Sequence, residues 1–159
     1  MARPIGRPAP LVPELDVHDL DASLRFYVGV IGFVVIFERP TERFAYLGLD
    51  GAELMLQDAS GPGRRFRTAP LKHPFGRGIN FQIEVPNVDE ILRGLHAAGI
   101  EPVIEIEERW YEVKVVRPSG RWSEPGLMDA GNRQFVVADP DGYLFRFYTS
   151  LGSRPTSKH

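Results

Sequence analysis

Near the end of the chain the sequence reads ADPDGYLFRFYTS, residues 138–150, and one guanidinium, Arg146, stands there among Phe145, Phe147 and Tyr148. A full charge in an apolar strand is costly unless it is paired or solvated, so Arg146 is either a solvated residue on an open face or part of a site. Glu14, Asp16 and Glu53 sit in other strand-like stretches with the spacing that puts side chains on one face. Carboxylates so placed could serve as general bases, could attract a cationic ligand, or could simply be solvated. The four histidines, His18, His73, His96 and His159, show no metal-ligand spacing. The absence of cysteine excludes thiolate nucleophiles, disulfides and Cys-based zinc sites. A basic run, RRFR at 64–67, mixes charge with an aromatic. A net charge of -2 and a pI near 6.1 nevertheless give no global field for nucleic acid, and a solvated linker is the reading taken.

The elements that must position these groups come from a repeat. ELDVHDLDASLRFYVGVIGF (14–33) reads as a strand ending near Val17 and a helix capped by Asp19 or Asp21 and stopped by Gly32. IEVPNVDEILRGLHAAGIEP (83–102) repeats it: Val17 matches Val85, Leu20 Val88, Asp21 Asp89, Leu24 Leu92 and Arg25 Arg93, and a one-residue slip aligns Gly32 with Gly99. Short strands follow each helix, at 34–38, 44–49 and 53–57, then at 103–107, 113–117, 134–138 and 143–149. Asp50-Gly51 reads as a hairpin turn, and Pro140-Asp141-Gly142 as a turn with Gly142 in the left-handed position. Phe26, Tyr27, Phe81, Phe135, Phe145 and Phe147 fall in core phase. The chain therefore divides into a flexible tail (1–9), a βαβββ module (10–57), a mobile Gly/Pro/Arg-rich linker (58–77), a second βαβββ module (78–149) with a long loop (118–133), and a C-terminal tail (150–159). The expected fold class is α+β, two modules with helices outside and curved mixed sheets lining a cleft. At 159 residues with 43% hydrophobic content, the two halves need to share a core. No run of about 20 apolar residues crosses a bilayer, which leads to the expectation of a cytoplasmic protein with no membrane partner.

The repeated module, the opening VPELDVHDLDASLRFYVGVIGF and the closing GNRQFVVADPDGYLFRFY resemble the vicinal oxygen chelate superfamily, whose members include glyoxalase I, extradiol dioxygenases and fosfomycin- and bleomycin-resistance proteins. The bleomycin-resistance type is the nearest in pattern. Enzymes of that superfamily hold a divalent metal in the cleft with His or Glu from the first and last strands of each module. The resemblance places those positions on Val12, on Met55 or Gln57, on Gly78 and on Arg146. None is a usual ligand, and a guanidinium repels a cation and does not deprotonate to coordinate one. The resemblance thus implies a metal-independent protein with no cofactor that sequesters a small molecule, aromatic or glycopeptide in kind, across a homodimer. The ligand-binding residues expected are Phe37, Tyr46, Met55, Gln57, Asn80, Gln82, Trp110, Tyr111, Trp122, Arg146 and Tyr148. No catalytic residue is assigned. The competing readings are a metal-dependent lyase, isomerase or dioxygenase with a shifted metal site, and an interaction module whose tryptophans meet a protein partner.

Overall fold

The computed structural model describes residues 7–119, 122 and 124–156. The first strand, β1 (Glu14–Val17), runs into helix α1 (Leu20–Leu24), whose N-cap is Asp19: its carboxylate accepts from the backbone N–H of Asp21 and Ala22. The helix widens into π-type turns over Arg25–Ile31 and ends at Gly32, at φ 103°. Three strands follow, β2 (Val34–Arg39), β3 (Phe44–Leu49) and β4 (Ala52–Asp58). Asp50 and Gly51 both take positive φ, the signature of the two-residue turn whose twist matches antiparallel strands.

The second module repeats this order with β5 (Asn80–Glu84), α2 (Val88–Ala97), β6 (Ile104–Val115), β7 (Gly126–Ala138) and β8 (Leu144–Pro155). Each module builds one four-stranded mixed sheet with the same connectivity, β1-β4-β3-β2 and β5-β8-β7-β6. In each, the first strand lies parallel to the last and the other pairs are antiparallel. The α+β class read from the sequence is the observed one.

Three expectations need correction. The stretch read as a loop at 118–133 is strand from Gly126 onward, paired with β6 along its length; Gly120, Arg121 and Ser123 lie outside the described residues. The separate strands at 103–107 and 113–117 are one continuous β6. The tail from 150 is strand as far as Pro155, because β8 follows β7 outward, and the residues beyond Thr156, including His159, are not among those described. The second sheet therefore extends well past the first as a three-stranded arm.

One core serves both modules. Leu15, Val17, Tyr27, Phe33, Leu47 and Leu56 from the first join Ile83, Val88, Leu95, Phe135, Phe145 and Phe147 from the second in a single buried cluster. Tyr27 meets Phe145 edge to face at 5.5 Å, and Phe145 stacks on Phe81 at 5.0 Å.

The turn at 139–142 carries a second tie between the modules. The Tyr27 hydroxyl donates to Asp139 Oδ2 at 2.7 Å, and the Asp141 carboxylate accepts from the His18 backbone N–H at 3.1 and 3.2 Å. The Tyr143 hydroxyl donates to the Asp16 carbonyl at 2.9 Å. Gly142, at φ 88°, lies against Pro74 so closely that a Cβ would sit 2.3 Å from that ring. The linker is held here as well: Phe75 N–H donates to the Asp141 carbonyl, and Arg67 pairs with Asp16 at 2.9 Å. Burial pushes the Asp139 and Asp141 carboxyls up and, with the neighbouring carboxylates, the Tyr27 and Tyr143 hydroxyls too.

Candidate functional site

Strand alternation leaves each sheet with one face in the core and one face open. On the first sheet the open face carries Glu14, Phe37, Tyr46, Glu53, Met55 and Gln57, with Glu14 opposite Met55 and Tyr46 opposite both Met55 and Phe37 in register. Phe37 and Tyr46 stack at 4.8 Å with rings 21° apart. The Tyr46 hydroxyl and the Ala9 N–H both donate to Glu53, and Gln57 is oriented so that its amide donates to Glu14 Oε1 at 2.7 Å and to the Arg64 carbonyl. Glu14 and Glu53 have neutral donors as partners in these contacts, whereas Asp16, on the same side of β1, pairs with Arg67 at 2.9 Å.

On the second sheet the open face carries Asn80, Gln82, Tyr111, Gln134, Arg146 and Tyr148. Gln82 and Arg146 are register partners, as are Glu84 and Tyr148. The Arg146 guanidinium donates to Gln82 Oε1 and, at 3.5 Å, to the Tyr111 hydroxyl oxygen. Gln134 Nε2 donates to the same oxygen at 2.8 Å and to Glu107 Oε1 at 3.2 Å. Tyr148 donates to Glu84 at 3.3 Å.

Gln82 and Arg146 form the shared wall of two recesses. One, of about 610 Å³, is bounded by Asn80, Ile104, Val136 and Leu144. The other, of about 530 Å³, is bounded by Tyr111, Val113, Trp122, Ala130 and Asn132. A third recess, of about 600 Å³, lies where the modules meet and is mostly apolar, with Leu11, Leu15, Leu54, Phe81 and Phe145 in its wall.

The structure therefore brings Asn80, Gln82, Tyr111, Trp122, Arg146 and Tyr148 to the non-core side of one sheet and Phe37, Tyr46, Met55 and Gln57 to that of the other, but Tyr46, Gln57 and Tyr148 are buried there beneath their neighbours. Trp110 goes elsewhere. It lies in β6, and its ring packs over Gly131, where a Cβ would come within 2.7 Å, with the Arg154 guanidinium 3.8 Å above. That is the helix side of the sheet, opposite Tyr111. Asn132, Gln134 and Val113 were missed by the sequence reading. Gln134 and Val136, two apart on the strand carrying core Phe135, were the available signal.

The metal positions implied by the resemblance do not suit a divalent ion. Val12 and Gly78 offer no side-chain donor, Met55 a thioether, Gln57 a neutral amide already engaged, and Arg146 a positive charge. Among the described residues no group of three or more His, Asp or Glu stands together in a way that could hold a metal.

Comparison with known proteins decides the family. Residues 12–147 match the family model described as the glyoxalase/bleomycin resistance protein/dioxygenase superfamily. The chain belongs to this superfamily. It is 28% identical over 149 residues to the bleomycin resistance protein of Geobacillus stearothermophilus, spanning 89% of this chain and 97% of that one. The same fold is seen in TnmS3, an antibiotic binding protein from Streptomyces sp. CB03234, at TM-score 0.55 and 20% identity over 92% of this chain and 98% of that one. It is seen again in the bleomycin resistance determinant of transposon Tn5, at TM-score 0.53 and 19% identity over 91% and 99%. Among the described residues no helix is long and apolar enough to cross a membrane.

Proposed function

We propose that this superfamily member binds a small molecule on the open faces of its sheets and holds it unchanged, without a metal. The observation that carries this reading is Arg146: a guanidinium with neutral partners stands in the wall of two recesses, at the position that the resemblance would assign to a metal ligand. The bleomycin-resistance relative and the antibiotic-binding fold neighbour support sequestration over turnover. Aromatic surface from Phe37, Tyr111 and Trp122 would supply burial, and Asn80, Gln82 and Arg146 orientation.

The functional unit is proposed to be a homodimer. β2 is the outer strand of its sheet and exposes Val34, Val35, Ile36 and Phe37 together, an apolar surface that a second copy would cover. Light scattering at micromolar concentration tests this: a mass near 18 kDa, that of one chain, refutes it.

The sequestration reading is tested by a thermal-shift screen of aromatic and glycopeptide compounds, with mass spectrometry of each mixture. A compound that raises Tm and is recovered intact supports the reading. A consumed compound, or activity that follows a stoichiometric bound metal, overturns it.

A further inference from the structure

Resting on that binding reading, we propose that the ligand of the second-module face carries an oxyanion on a flat aromatic body, with the oxyanion seated on Arg146 and Tyr111. Arg146 forms no ion pair among the described residues, and its contacts are with an amide oxygen and a hydroxyl. A guanidinium has five N–H donors in a fixed fork, so most remain for a carboxylate, sulfonate or phosphonate. Tyr111 points the same way. Its oxygen accepts from both Gln134 and Arg146, which occupies its lone pairs and leaves its own proton to donate outward.

The surroundings give the rest of the ligand's character. The recess beside Arg146 is walled by the Tyr111 and Trp122 rings and by Val113 and Ala130, surfaces suited to a flat apolar ring. Glu107 faces the site through Gln134, whose amide already donates to it at 3.2 Å. A cationic ligand would meet the Arg146 guanidinium directly, and like charges in a half-buried recess repel.

Titration calorimetry with three matched probes tests this: 2-naphthoate, neutral 2-naphthamide and cationic 2-naphthylmethylamine, each against wild type, Arg146→Gln and Arg146→Lys. The expected result is a preference for naphthoate over naphthamide of about tenfold or more, the size of a charge-assisted hydrogen bond. The preference should be lost in Arg146→Gln, partly kept in Arg146→Lys, and reduced by salt. Thermal unfolding of both variants establishes that they are folded. The inference is overturned if naphthoate does not bind at millimolar concentration, if naphthamide or the amine binds as well, or if Arg146→Gln leaves the preference intact. The two readings fail separately. Naphthoate bound through Arg146 but chemically altered sinks sequestration and leaves the anion site standing. A neutral or cationic probe bound, unchanged and indifferent to Arg146→Gln, does the reverse.

Discussion

In the first module this face carries three carboxylates, Glu14 and Glu53 with neutral donors among their partners and Asp16 paired with Arg67, beside the stacked rings of Phe37 and Tyr46. In the second the same face carries Arg146, beside Tyr111 and Trp122, and its sheet runs on into an arm that the first lacks. The two share strand order and a repeated helix, so common architecture fixes where side chains point and leaves their charge free to diverge. The core shows the opposite behaviour. Both modules contribute large apolar groups to one cluster, and the turn acids of the second hold the first strand and helix of the first. Charge diverges on the open faces and length in the arm, while the core faces of the two modules are mutually dependent.

That dependence is broken most severely by Phe145→Ala. The ring touches Phe81 in its own module and Tyr27 in the other and is almost fully buried, so truncation is expected to cost about 3–5 kcal/mol. Urea unfolding followed by both far-UV circular dichroism and tryptophan fluorescence should show one coincident, shifted transition. Two separated transitions would mean that the modules fold independently and that the shared core is a weak coupling.

Asp139→Ala comes next, at about 3 kcal/mol, since it strands the Tyr27 hydroxyl and the backbone N–H groups of Asp141 and Tyr143 in a buried place. The substitution Asp139→Asn separates charge from hydrogen bonding. Burial raises the folded carboxyl above its unfolded value of about 3.9, so the folded state holds this proton more tightly. Its favourable contribution is complete below the unfolded value and is lost as pH rises through the folded one. Asp139→Asn should therefore flatten the decline in stability above about pH 4. An unchanged pH profile would show that Asp139 does not titrate in the fold.

The repeat was legible in the sequence because both strand–helix pairs keep apolar residues in phase and a capping Asx residue, Asp19 or Asn87, at the helix start. The turns at Asp50-Gly51 and Asp139–Gly142 were legible because only a few residue types take their backbone angles. The arm was not. Gly126, Gly131, Gly152 and Pro125 read as loop punctuation, yet Gly131 is small because Trp110 lies on it, and β7 gains its hydrogen bonds from two long neighbours rather than from propensity. The faces of β6 were hidden for a further reason. Its pairing with β7 slips between Ile104 and Glu107, and this bulge reverses the alternation beyond it. Without the bulge Trp110 would share the open face with Ile104; with it, Tyr111 does.

A smaller effect compares the repeated aspartates. Asp21 and Asp89 occupy matching helix positions, and each meets an arginine from its own module, Arg43 at 3.4 Å and Arg133 at 2.8 and 3.0 Å. The Arg133 guanidinium holds Asp89 below its ordinary value, so this pair contributes above the unfolded value and is lost as pH falls through the folded one. Arg133→Met should cost about 0.5 kcal/mol at low salt and less in 0.5 M NaCl, as for exposed pairs. Asp21→Asn should cost less, because its contact with Arg43 is longer, at 3.4 Å, and Arg43 keeps Asp58 at the same distance. Equal effects from the two would show that the fork geometry of Arg133 adds nothing.

A last comparison, read in binding rather than in stability alone, concerns adjacent residues on the two sides of one strand. If the bulge in β6 is what assigns Tyr111 to the ligand face and Trp110 to the helix side, then Tyr111→Phe should weaken 2-naphthoate binding about three- to tenfold by removing one donor. Trp110→Ala should leave that affinity within about twofold, since its loss exposes Gly131 and frees Arg154 on the far side of the sheet. Stability should respond in the opposite order, with Trp110→Ala the more damaging because the ring covers backbone and stacks on a guanidinium. A reversal of both orders would put the alternation back in the register of Ile104 and return Trp110 to the site.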